Sequence, residues 1–142
     1  MAEKKRVLIL CTGNSARSQM AEGLLRHLAG DRFEVFSAGV EATFVRPQAI
    51  TVMSEMGIDI SQHRSKSVDE FLDTRLDYVI TVCDHANQRC PVFGAVIRIH
   101  WSIDDPVVGG SAEMRLEAFR RARDELQRRL QSFVDDLGPA RK

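Results

Sequence analysis

The stretch "RVLILCTGNSARS", Arg6 to Ser18, decides the fold. Arg6 to Leu10 is a short, mainly apolar run rich in branched side chains, the pattern of a buried strand. From Ser18 onward, "SQMAEGLLRHLAG" sets Met20, Ala21, Leu24, Leu25 and Leu28 on one helical face and stops at Gly30. Between strand and helix lies a loop of small polar residues, bracketed by Cys11 and Arg17.

The rest of the chain repeats this alternation. "FEVFSAG" (33–39) reads as a second strand, and Pro47 opens a helix carrying Ile50, Val52, Met53 and Met56 that ends at Gly57. "GIDISQHRSKSVDEFL" reads as a loop running into a short helix, "DYVITVC" as a third strand and "AVIRIHW" as a fourth. A last helix runs from a capping Ser111 to Leu137, with Leu116, Phe119, Ala122, Leu126, Leu130, Phe133 and Leu137 as one apolar stripe. Strands alternating with helices predict an α/β fold of three layers, α/β/α, around a four-stranded parallel sheet, in a single domain spanning 1–142. Ligands of such sheets bind beyond the carboxyl ends of the strands. Cys11, Cys83 and "HWSIDDP" all lie just past strand ends and so converge on one edge.

Composition narrows the function. Twenty basic and twenty acidic residues balance, which gives no support to nucleic-acid or membrane-surface binding. Arg115, Arg120, Arg121, Arg123, Arg128 and Arg129 read as a solvated helix face. No run approaches the ~20 apolar residues of a membrane span. The basic-then-apolar start is too short for a signal peptide, so a cytoplasmic location is expected. In a reducing compartment the three cysteines are free thiols or a transient redox set.

A loop between a strand and a helix points backbone N–H groups into one concave space, with positive potential from the helix end. Thr12, Gly13, Asn14, Ser15, Ala16, Arg17 and Ser18 are the expected oxyanion-binding residues. Arg17 offers a planar charged fork that suits a tetrahedral anion. The alternative for Cys11 is an inert buried thiol. In this loop the same donors favour its thiolate, the nucleophilic form, and Ser18 is placed to donate to the sulfur. Asn14 suits a left-handed turn position. In "HWSIDDPV", Asp105, fixed by Pro106, is the candidate acid that protonates a leaving oxygen. No nucleotide P-loop is present.

Cys83 and Cys90 stand seven residues apart in "VCDHANQRCPV". Zinc ligation with His85 and His100 lacks the usual tight cysteine pairs. If the segment is helical, seven residues rise ~10 Å, beyond the ~7 Å Cα reach of a disulfide. A Cys83–Cys90 bond then requires the segment to unwind, which suits a redox switch. The three cysteines make one relay: Cys11 attacks the oxyanion, Cys83 attacks the Cys11 adduct, and Cys90 attacks Cys83. A phosphate ester needs no electrons. Arsenate has phosphate's shape and charge with a reducible centre.

"CTGNSARS", "TVCDHANQRCP" and "HWSIDDP", with "SAG" and "GIDIS", together resemble the thioredoxin-coupled arsenate reductases built on the low-molecular-weight protein tyrosine phosphatase fold. The resemblance covers nearly the whole chain. It implies nucleophile Cys11, relay cysteines Cys83 and Cys90, oxyanion ligand Arg17, thiolate-stabilising Ser18, loop-orienting Asn14 and general acid Asp105. It also implies arsenate reduction to arsenite for arsenic detoxification, with thioredoxin resetting the disulfide and no tightly bound cofactor. Phosphate and sulfate are expected competitors, and a monomer is expected. Many members carry a further cysteine where this chain has Ala16. Some bind potassium through the segment matching "HRSK", where this chain has Arg64 and Lys66. No metal site is therefore expected, and Lys66 is expected to take the ion's place, leaning toward Asn14 or Glu22. The rivals are a tyrosine phosphatase with the same loop, and a non-enzymatic oxyanion or redox sensor. Against the first, valines rather than an aromatic follow Asp105-Pro106.

Overall fold

The computed structural model describes residues 4–137. In chain order it forms β1 (Lys5–Cys11), α1 (Arg17–Ala29), β2 (Phe33–Gly39), α2 (Pro47–Ser54), a 3-10 turn (Val68–Phe71), β3 (Tyr78–Thr81), α3 (Asp84–Arg89), β4 (Ile97–His100) and α4 (Ala112–Asp136). The four strands make one parallel sheet in the order β2-β1-β3-β4. Val7 to Leu10 of β1 are fully buried, as a central strand with both faces covered must be.

The register fixes which side chains meet which helices. Val7 sits between Val35 and Tyr78, and Ile9 between Ser37 and Ile80. Side chains alternate along a strand, so Val7, Ile9 and Cys11 share a face with Phe33, Ser37 and Tyr78. That face carries α1 and α4: Phe33 and Tyr78 meet Phe133 at centroid distances of 5.6 and 5.2 Å, and Ser37 bonds Glu22 of α1. α2 joins this layer through Glu55, which pairs with Arg120 and Arg123 of α4. On the opposite face, Phe36 meets Phe71 at 5.4 Å, and Thr81 bonds Asn87 of α3. The result is three layers, α/β/α. Strand order reverses between β1 and β3, the switch point at which such sheets open a crevice.

Local chemistry explains several boundaries. Ser111 caps α4, its side chain accepting from the Met114 N–H. Gly57, at φ +74°, ends α2's last turn in the left-handed region, and Ile58 N–H reaches back to Met53 O. Three expectations need correction. Leu137 is 41% exposed, and Val134 continues the α4 stripe in its place. β4 is a short edge strand, and its Ile97 is 58% exposed rather than covered. Arg120 and Arg123 are struts between helices rather than a solvated face; Arg123 also donates to Val52 O at 2.8 Å.

Candidate active site

β1 ends at Cys11, whose buried Sγ accepts from the Asn14 N–H at 3.2 Å and lies 2.8 Å from Ser18 Oγ. Ser18 Oγ already accepts from Asn14 Nδ2 (2.7 Å), so its proton is free to point at the sulfur. Asn14 is the hub. It is fully buried at φ +48° and spends its second amide proton on Ser37 Oγ (3.0 Å). Its Oδ1 accepts from Gln19 Nε2 and from the Lys66 N–H, both at 2.9 Å. Ser37 passes its own proton to Glu22 Oε1. The outer rim is stapled as well: Gly13 O accepts from Thr43 N–H and Ser65 Oγ, and Ser15 O from Arg46 N–H. The backbone N–H groups of Gly13, Ser15, Ala16, Arg17 and Ser18 find no acceptor among the described residues. A loop held from behind with its donors free is an anion receptor.

Glu22 anchors the rear of this network. Arg26 Nη2 lies 2.6 Å from its carboxylate, His63 Nε2 3.7 Å and Lys66 Nζ 3.8 Å. The Lys66 ammonium thus leans toward Glu22 while its backbone holds Asn14, the arrangement expected for it. Burial pushes the Lys66 pKa down, and Glu22 acts against that shift. Burial likewise lowers the His63 pKa. A neutral ring fits its bonds, since Nδ1 donates to Gln19 Oε1 (2.9 Å) and Nε2 accepts from Arg26.

Arg17 reaches across to the segment after β4. Its Nη1 donates to Ile103 O at 2.9 Å, and its Nη2 lies 3.9 Å from Asp105 Oδ2. Asp105 is exposed, with Oδ1 accepting from the Val107 N–H. The loop arginine and the candidate acid therefore share one side of the crevice.

Cys83 caps α3, its sulfur accepting from the Ala86 N–H at 3.4 Å. Thr12 Oγ1 lies 3.2 Å from the same sulfur, so the second cysteine adjoins the loop of the first. Cys90 stands at the other end of α3, half-buried, with its thiol pushed up by burial. All three cysteines are free. His85 faces Glu41 and His100 faces Asp84, so neither pairs with a cysteine.

Three contributors escaped the sequence reading: Gln19 and Ser37 as supports of Asn14, and Gly39. A Cβ on Gly39 would stand 2.7 Å from Thr12 O and 2.8 Å from Asn14 N, so only glycine lets β2 end against the loop. Its appearance in "SAG" at the end of a strand was the available signal. Phe44, 54% exposed under the Arg46 guanidinium, puts an aromatic ring on the segment that staples the loop.

Comparison with known proteins places these features in a family. An arsenate reductase of Halalkalibacterium halodurans is 45% identical over 93% of this chain and 96% of its own length. A solved arsenate reductase in its phosphate-binding state superposes with a TM-score of 0.81 at 34% identity, covering 93% of this chain and 98% of that one. A low molecular weight protein tyrosine phosphatase from T. tengcongensis superposes at 0.76 with 27% identity, over 94% and 99%. Residues 6–142 match the low molecular weight phosphotyrosine protein phosphatase family, and this chain belongs to it.

Proposed function

We propose that this protein reduces arsenate to arsenite through a relay of Cys11, Cys83 and Cys90. The observation that carries the reading is the 3.2 Å contact between Thr12 Oγ1 and Cys83 Sγ, which puts a second thiol beside an oxyanion loop that already has its nucleophile. The similarity to arsenate reductases supports the same substrate.

Loop N–H groups and Arg17 hold the tetrahedral anion. The Cys11 thiolate attacks arsenic, and Asp105 donates a proton so that one oxygen leaves as water. Cys83 then attacks Cys11 Sγ. A Cys11–Cys83 disulfide forms, the sulfur–arsenic bond breaks, and its electron pair stays on arsenic as arsenite departs. Cys90 attacks Cys83, the Cys83–Cys90 bond forms, and Cys11 leaves as thiolate. A dithiol reductant of the thioredoxin class reopens the final disulfide, which suits a reducing cytoplasm. Among the described residues, no helix is long and apolar enough to cross a membrane.

The test is arsenate-dependent NADPH consumption coupled to thioredoxin and its reductase. Cys90→Ser is expected to release one equivalent of arsenite and stop; sustained turnover would defeat the relay. Hydrolysis of small aryl phosphates, the phosphatase reading, is expected as a weak side activity that survives Cys83→Ser and is lost in Cys11→Ser.

Lys66 serves as the resident cation behind the loop, on the strength of its approach to Glu22. Adding potassium is expected to leave both turnover and melting temperature unchanged, and a potassium-dependent rise in either contradicts this role.

A further inference from the structure

The relay asks two opposed things of α3. Cys83 must stay against the loop of Cys11, while Cys90 must close the few ångströms between a ~10 Å helical rise and the ~7 Å reach of a disulfide. The ties of α3 to the rest of the protein match this division. Its first turn is held at three residues: Cys83 by Thr12, Asp84 by His100 Nε2 at 2.9 Å from Oδ1 and by Ser102, and His85 Nε2 by Glu41 Oε2 at 3.1 Å. Asn87, midway, accepts from Thr81 Oγ1 at 3.2 Å and from Arg98. Beyond it, no side-chain hydrogen bond among the described residues engages Gln88 or Arg89, and Cys90 Sγ reaches only the neighbouring Pro91 carbonyl at 3.4 Å.

His100 is the strut of the held end. Thr81 Oγ1 donates to Asn87 Oδ1 and lies 2.8 Å from His100 Nδ1. The Asp84 carboxylate only accepts, so His100 Nε2 is a donor. His100 thus bridges the sheet residue Thr81 and the first-turn residue Asp84. Thr81 is 1% exposed and sits in the sheet, which gives the strut a fixed base.

We propose that His100 is a positioning residue: through Thr81 and Asp84 it pins the first turn of α3 to the sheet, keeping Cys83 at the loop while the helix unwinds from its Cys90 end. This role rests on the relay reading. In the step it serves, the Cys90 thiolate attacks Cys83 Sγ, the Cys83–Cys90 bond forms, and the Cys11–Cys83 bond breaks with its electron pair leaving on Cys11.

The first test labels reduced protein with trace iodoacetamide and reads each cysteine by peptide mass spectrometry. In His100→Ala, Cys83 is expected to react roughly five- to tenfold faster, the scale of a lost charge-assisted hydrogen bond, with Cys11 and Cys90 unchanged. His100→Gln keeps one donor and falls between, and Asp84→Ala, which also loses the Ser102 tie, is expected to raise Cys83 labelling at least as much as His100→Ala. An unchanged Cys83, or an equal rise at all three cysteines, overturns the proposal. The second test adds arsenate to a Cys90→Ser background. His100→Ala is expected to slow formation of the Cys11–Cys83 disulfide roughly tenfold while the affinity for inorganic phosphate stays constant. Failure of that disulfide to form with His100 intact overturns the relay and the role of His100 in it. The labelling contrast, run without arsenate, still shows whether His100 pins Cys83.

Discussion

The Cys11–Ser18 loop and α3 both leave the carboxyl end of a neighbouring strand, and they are held in opposite ways. Both protons and the oxygen of the Asn14 amide are engaged, by Ser18, Ser37, Gln19 and Lys66, and the loop's outward carbonyls are stapled by Thr43, Ser65 and Arg46. α3 is tied through its first turn and Asn87, while among the described residues Gln88 and Arg89 carry no side-chain hydrogen bond. The difference follows from the task. Stabilising charge on a tetrahedral anion requires donors fixed before the anion arrives. Bringing a thiol from a ~10 Å helical rise to within disulfide reach requires a segment whose local opening costs little.

The largest effect is expected from breaking the rigid partner. Asn14→Ala removes the donors to Ser18 and Ser37 and the acceptor for Lys66 N–H and Gln19, all in a fully buried site. A loss of about 10²–10³-fold in kcat/KM is expected, equal for arsenate reduction and aryl phosphate hydrolysis, because both use the same preorganised donors. Urea unfolding is expected to show about 2–4 kcal/mol of destabilisation from the orphaned partners. A loss confined to arsenate reduction would mean that Asn14 acts on the relay and not on the anion loop.

An intermediate effect is expected in the mobile partner, read through pH. Burial raises the Cys90 pKa, so the thiol form dominates at neutral pH. Attack on Cys83 needs the thiolate, and the rate of Cys83–Cys90 formation in single-turnover, rapid-quench experiments is expected to rise about tenfold per pH unit above neutrality. The rise ends once pH passes the Cys90 titration. A flat profile between pH 7 and pH 9 would show that α3 opens, and Cys90 is solvated, before ionisation limits the step.

What the sequence made legible follows the same division. The strand-loop-helix, the left-handed Asn14, the Ser111 cap and the Gly57 stop are all written in residues within a few positions of each other. The supports of Asn14 are not: Ser37 lies 23 positions away and meets it only because β2 pairs with β1. The pinning of α3 draws on Thr12, Glu41, Thr81 and His100, from four separate segments, so spacing alone could not reveal which end is fixed. Periodicity misread Arg120 and Arg123 for a related reason. It counts faces along α4 and is blind to Glu55 arriving from α2. The fold and the course of the loop were readable from local patterns; which end of α3 carries side-chain ties is a property of tertiary contacts.

The smallest expected effect lies away from both segments and tests whether they are independent of the scaffold. Glu55 ties α2 to α4, and hydrogen bonding to Arg120 holds its pKa down from 4.5 to about 2, with Arg123 adding to the shift. A carboxyl depressed on folding stabilises the protein above its unfolded pKa, and that contribution drains away as pH falls toward the folded value. Glu55→Gln is therefore expected to lower the melting temperature by a few degrees at most near pH 7, since exposed ion pairs contribute little. The gap to wild type is expected to hold down to about pH 5 and to close progressively as pH falls toward 2. Turnover and the three cysteine labelling rates at pH 7 should not change, because neither the Asn14 hub nor the ties of α3 touch this pair. A shift in Cys83 labelling on Glu55→Gln would show that the first turn of α3 is held by the helical layer across the sheet, and not by Thr12, Glu41 and His100 alone.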